Sequence, residues 1–126
     1  MHHSRLCSII IDCQTKDLTE AARFWSAAIG RPVDASEKPA EDKYVRLGTG
    51  KEDVIVLLQK VDHPSRVHLD IEADDIENEV ARLEKLGARR VEQIETWWVM
   101  EAPTGQRFCV IRPQRERFPA DLNTWP

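Results

Sequence analysis

The chain has 126 residues, a hydrophobic fraction of 41% and a formal net charge of −4. That length suits one compact domain, or two small modules sharing a core, and the apolar content excludes global disorder. Acidic and basic residues are mixed with no basic stripe, which argues against a nucleic-acid partner, and every apolar run is too short to span a membrane.

The N-terminus, Met1-His2-His3-Ser4-Arg5, has no signal-peptide pattern and leads directly into a strand-like run. His2 and His3, adjacent near the N-terminus, are excluded from the site. The three cysteines, Cys7, Cys13 and Cys109, form no CxxC pair and cannot all pair internally. They fit a reduced, cytoplasmic setting.

Residues 6–13 (LCSIIIDC) read as a buried strand, with Cys7, Ile9 and Ile11 on one face and Ser8, Ile10 and Asp12 on the other. Cys7 and Cys13 read as small core residues. Asp12, ending an apolar strand, needs solvent or a partner; it serves either as a turn or cap residue or in a site. Residues 17–29 read as a helix, capped by Asp17 or Thr19 and ended by Gly30. Leu18, Ala21, Ala22, Trp25, Ala28 and Ile29 form its apolar face, with Phe24 and Trp25 as packing anchors.

Residues 34–42 are polar and read as a loop or weak edge strand; Tyr44 to Leu47 form a short strand, and Gly48-Thr49-Gly50-Lys51 a hairpin turn rather than a phosphate loop. Residues 54–59 form an apolar strand, and His63-Pro64-Ser65 the linker between two halves.

The second half is read most clearly. In residues 67–72 apolar and polar side chains alternate, so Val67, Leu69 and Ile71 cover a helix while His68, Asp70 and Glu72 point away from it. That opposite face is either simply wet or the concave lining of a pocket. Asp74 or Asp75 caps the following helix, Ile76, Val80, Leu83 and Leu86 form its apolar stripe, Glu77, Glu79, Arg82, Glu84 and Lys85 its outer faces, and Gly87 its C-cap. Strands follow around residues 90–94, at 97–100 and at 107–111, with a turn at Ala102-Pro103-Thr104-Gly105 between the last two. In the tail, residues 114–126, Phe118, Leu122 and Trp125 can pin the chain to the body or to a second subunit.

The halves repeat: Ile10, Asp17 and Gly30 in one recur as His68, Asp75 and Gly87 in the other, each with strand, capping Asp, helix and Gly in that order. The expected fold is therefore α+β, two βαβββ modules (6–61 and 66–113) within a single domain, 1–126. On the segments IIIDC, AARFWSAAIGRPV, RVHLDIEADDIENEVARLEKLGA and WWVMEAPTGQRFCVI, the chain resembles the vicinal oxygen chelate superfamily, which includes glyoxalase I, bleomycin-resistance proteins and extradiol dioxygenases, and is most similar to the glyoxalase-like domain group.

The resemblance implies that the two modules form a half-barrel around a cavity. It also implies metal ligands, in the family's metal enzymes, on the first and last strand of each module. Carried onto this chain those places are Ile10, a site near Leu57, His68 and Cys109. Ile10 has no donor atom, only Gln59 lies near Leu57, and a catalytic metal ordinarily takes about three protein ligands. No metal centre is expected; if any residue binds a metal, it is His68. The turn at Ala102 also lacks the aspartate usual in relatives.

The expected function is a small-molecule pocket for an unidentified organic ligand, lined by Asp12, His68, Asp70, Trp98, Met100, Cys109 and Ile111. The alternative is a lyase, isomerase or dehydratase in which His68, with Asp12 or Asp70, acts as general acid/base, or one in which Cys109 is a nucleophile. A structural or partner-binding role for the tail is the third reading. The resemblance allows a homodimer, although both modules are present in one chain.

Overall fold

A computed structural model describes residues 1–34, 43–48, 50, 53–115 and 122–126. Most of the 34–42 loop, Thr49 and Lys51 of the glycine turn, and Phe118 lie outside the described residues. The fold is mixed α+β. Among the described residues the order is β1 (His2–Gln14), α1 (Thr19–Ile29), β2 (Tyr44–Arg46), β3 (Ile55–Val61), β4 (Arg66–Ala73), α2 (Ile76–Lys85), β5 (Arg89–Ile94), β6 (Trp97–Glu101), β7 (Arg107–Ile111) and β8 (Asn123–Trp125). The chain divides into two compact units: one of residues 1–7 and 68–126, the other of residues 8–67.

In the first unit the opening of β1 lies beside β4, followed by β7, β6 and β5, with β8 paired antiparallel to β1. β4 and β7 run parallel, placing Asp70 opposite Cys109 and Glu72 opposite Ile111; β6 runs antiparallel to β7, placing Trp98 opposite Val110 and Val99 opposite Cys109. Side chains alternate along each strand, so these registers sort the residues into two faces. α2 covers one of them, closing a core of Ala73, Val80, Leu83, Met100 and Val110, with Ile71, Ile76, Trp98 and Phe108 packed around it. His68, Asp70 and Cys109 belong to the other face.

α2 starts where the sequence predicts. Asp75 is its N-cap, its carboxylate accepting the Asn78 N–H at 3.0 Å. Gly87, one residue past the Leu86 C-cap, has φ of +110°, which only glycine adopts without strain. The helix packs on β5, β6 and β7. Val67 and Leu69, expected to cover the helix, are 59% and 44% exposed.

In the second unit β2 pairs antiparallel and the rest of β1 parallel with β3, placing Ile10 opposite Leu57 and Asp12 opposite Gln59. α1 packs Leu18 and Ala22 onto Leu58, with Ile11, Cys13, Trp25 and Val45 around them. Asp17 lies one residue before the helix cap and accepts the Thr19 N–H at 2.8 Å. Gly30 ends the helix with φ of +72°. Phe24 is not the anchor expected: it is 60% exposed and stands edge-on to Trp25, with centroids 5.0 Å apart. After α1 the described residues give two strands and an isolated bridge, Val33 to Leu47, where three strands were expected.

Candidate functional site

The site is built by β4 and β7 of the first unit. Period-2 alternation sends His68 and Asp70 to the same side of β4, and the parallel register sets Cys109 beside Asp70. One donor atom from each of His68, Asp70 and Cys109 lies within 4.8 Å of the other two. His68 Nε2 stands 3.7 Å from Asp70 Oδ1, and all three residues are half-buried. Ile111 lies two residues beyond Cys109 on the same face of β7. An imidazole, a carboxylate and a thiol at this spacing can move a proton, hold a polar ligand group, or together bind a thiophilic divalent ion.

Two expected lining residues lie on the opposite face of the sheet, towards α2. Met100 is fully buried in the α2 core and Trp98 packs against that core. The Trp97-Trp98-Val99-Met100 run is apolar at every position, so alternation cannot reveal its faces; only the partners on β7 do. Trp98 lies beneath the Arg90 guanidinium, 4.9 Å from its ring centroid, and its buried indole N–H has no hydrogen-bond partner among the described residues.

Asp12 belongs to the second unit. It is 1% exposed, and Arg66 Nε donates to its Oδ2 at 3.3 Å. Of the positions the resemblance points to, Ile10 is a buried hydrocarbon, and Gln59, near Leu57, donates its amide to the Tyr44 hydroxyl at 3.4 Å. By strand register it is Gln59, opposite Asp12, that corresponds to Cys109, opposite Asp70.

Two buried carboxylates flank the site's unit. Glu72, next along the His68 face, accepts from Arg5 Nε at 3.2 Å, Arg115 Nε at 2.7 Å and the Gln114 N–H at 2.9 Å. Burial alone raises its pKa; the Gln114 N–H and the Arg115 side chain and N–H outweigh that and hold it below the usual carboxylate range. Glu79, expected on the outer face of α2, is fully buried instead. It takes His2 Nε2 at 2.8 Å and Arg82 through two bonds of 2.8 and 2.9 Å. Burial raises its pKa too, and the bonds from Arg82, His2 and Ser4 pull it below normal. Arg82 stacks 3.8 Å from the centroid of Trp125, whose indole N–H donates to Ser4 at 2.8 Å. Thus His2 is a built-in part of the first unit. No short-range sequence signal marks this network, because its members come from β1, α2 and β8.

A cavity of about 640 Å³ lies in the second unit, lined by Lys16, Asp17, Leu18, Thr19, Ala22, Arg23, Val33, Val45 and Lys60. It includes none of the side chains expected to line a pocket.

The profile of the glyoxalase-like domain family matches residues 8–111, so the chain belongs to that family. Solved structures share the fold. A hypothetical protein from Bacillus halodurans C-125 is 14% identical over 90% of this chain and 99% of its own, with a TM-score of 0.57. A glyoxalase/bleomycin resistance protein/dioxygenase superfamily member from Vibrio splendidus 12B01 is 23% identical over 85% and 98%, with a TM-score of 0.52. A Streptomyces coelicolor methylmalonyl-CoA epimerase bound to 2-nitronate-propionyl-CoA is 15% identical over 89% and 97%, with a TM-score of 0.50. No curated protein matches the chain. No helix among the described residues is long and apolar enough to cross a membrane.

Proposed function

We propose that this glyoxalase-like protein binds a small organic molecule on the β4–β7 face and moves a proton on it, without the family's four-ligand metal centre. One observation carries the reading: His68, Asp70 and Cys109 bring their donor atoms within 4.8 Å of one another on a half-buried face. His68 accepts and returns the proton, Asp70 orients the imidazole, and Cys109 and Ile111 contact the ligand. Lyase, isomerase and dehydratase reactions share that step, and the epimerase among the fold's relatives is compatible with it. Asp12, buried against Arg66, is assigned a structural role. The repeat, the parallel pairing of first and last strand in each half, and the matching Asp12–Gln59 and Asp70–Cys109 registers support two modules descended from one plan. The three cysteines, none of them in a disulfide among the described residues, fit a cytoplasmic protein, and a homodimer is compatible with the family.

The test is hydrogen exchange in D₂O. Chelator-treated protein is incubated with a panel of small carbonyl and thioester acids bearing an acidic C–H, and deuterium incorporation is followed by NMR. Exchange that His68→Ala abolishes supports the reading; no exchange across the panel, with no ligand-induced shift in Tm, overturns it.

The same three donors favour one second reading, a three-ligand Zn²⁺-type site with an open position. Ligands of one tetrahedral ion lie roughly 3.3–3.8 Å apart given normal bond lengths, so side-chain rotations on the order of 1 Å would close this set. Stoichiometric metal lost with His68→Ala, Asp70→Asn and Cys109→Ser alike would select it.

A further inference from the structure

The second unit's cavity has a built chemical character of its own. Leu18 and Ala22, both buried, and Val45, packed beside them, form an apolar floor, and Val33 adds an exposed apolar wall. Among the described residues the cavity is also lined by three cations, Lys16, Arg23 and Lys60, and one carboxylate, Asp17. Among the described residues none of the three cations lies in an ion pair. The carboxylate is already committed: its Oδ1 accepts both the Thr19 N–H at 2.8 Å and the Thr19 hydroxyl at 2.6 Å. Those bonds, with the charge of Lys60, hold Asp17 below the ordinary carboxylate range, so it stays ionised and bonded to the helix.

The described lining therefore presents a hydrocarbon surface with a surplus of positive charge, in a volume of about 640 Å³, within the range of small-molecule sites. We propose that it is a second ligand site, for a small organic anion with an apolar body such as a medium-chain or aromatic carboxylate. The carboxylate sits between Lys16, Arg23 and Lys60, and the hydrocarbon rests on Leu18, Ala22, Val33 and Val45. The proposal is independent of the His68 face, because every residue it uses lies between positions 16 and 60.

The test is calorimetric and NMR titration of the full chain with octanoate, octan-1-ol and octylamine. Octanoate is expected to bind saturably in the submillimolar range, at least fivefold tighter than octan-1-ol, with octylamine weakest. Shifts should centre on the backbone amides of residues 17–23, Val45 and Lys60. Arg23→Gln with Lys60→Gln should weaken octanoate at least fivefold and leave octan-1-ol unchanged. Val33→Trp should block all three, while His68→Ala changes none. Both cation positions have solvent access, so folding is retained and checked by Tm. The proposal is overturned by no saturation at 10 mM octanoate, by equal binding of acid and alcohol, or by indifference to the charge-removing pair.

Discussion

His2 Nε2 lies 2.8 Å from Glu79 Oε1, although the two residues are 77 positions apart and Glu79 is fully buried. The bond ties the first residues of β1 to the middle of α2. Removing the carboxylate strands Arg82 and His2 around an empty polar site. Breaking a buried pair in this way costs about 3–5 kcal/mol, so Glu79→Ala should lower the urea midpoint strongly. Glu79→Gln, which can still accept hydrogen bonds, should cost less. Equal midpoints for wild type and Glu79→Ala would show that the network contributes nothing.

Acid should act on the same groups. Glu72 and Glu79 have folded-state pKa values below the ordinary 4.5. The unfolded chain therefore takes up protons first as pH falls, and stability falls with it. Their contribution is complete above the unfolded value and is lost as pH drops through the lower folded values. The urea midpoint should decline below about pH 5, given unfolded glutamate near 4.3, and the double variant Glu72→Gln with Glu79→Gln should show a shallower decline. A wild-type midpoint unchanged down to pH 3.5 would contradict this.

Trp125 should contribute to stability despite its place at the chain's end. It pairs with His2 in the β1–β8 ladder, stacks on Arg82 and donates to Ser4. Cation–π and hydrogen-bond contributions of about 1 kcal/mol each, with lost apolar contact, place Trp125→Ala about 2 kcal/mol below wild type. Thermal and urea unfolding of the variant would measure it, and a change under 0.5 kcal/mol would reduce β8 to decoration.

These residues also mark what a one-dimensional reading can reach. Alternation in β4, the Asp75 cap and Gly87 were legible because each is a local pattern imposed by backbone geometry. The convergence of His68 and Asp70 followed from the same period of two, and Cys109 from the resemblance. The face of Trp98 and Met100 was not legible: a continuously apolar strand carries no alternation, and its orientation is decided by its partner across the sheet. The burial of Glu79 was hidden for a different reason, since a glutamate on a polar-looking helix face becomes interior only when distant partners, here His2 and Arg82, bond to it. The cavity beside α1 is lined by residues from α1, β2, β3 and the segments flanking α1, and such a convergence leaves no periodic trace in the sequence.

The cysteines offer a direct probe of environment. Cys7 is fully buried, whereas Cys13 and Cys109 are half-buried. Burial, with a smaller push from the Asp12 charge, raises the Cys13 pKa above its ordinary value. Only the thiolate alkylates readily, so iodoacetamide at pH 7 should label Cys13 slowly in the native protein and faster as pH rises toward 10. Cys7 should react only on unfolding. Peptide mass mapping resolves the sites; rapid Cys7 labelling under native conditions would contradict the described core.

The β4–β7 face yields the prediction that separates chemistry from scaffolding. His68, Asp70 and Cys109 lie on the side of the sheet away from the α2 core. Replacing them should therefore cost little packing, about 1 kcal/mol or less each for half-buried sites outside the core. If proton transfer is the function, His68→Ala should abolish deuterium exchange, while Asp70→Asn, which keeps the side chain's shape but loses its charge, should reduce it by about 10²-fold, the lower range for losing general acid–base assistance. Cys109→Ser should change ligand affinity more than exchange rate. Parallel urea curves for all three variants, set against their exchange rates, distinguish the alternatives. Lost exchange with unchanged midpoints identifies a reactive face, whereas an unfolding free energy that falls by about 3 kcal/mol or more, with no exchange in the wild type, identifies the cluster as a structural one.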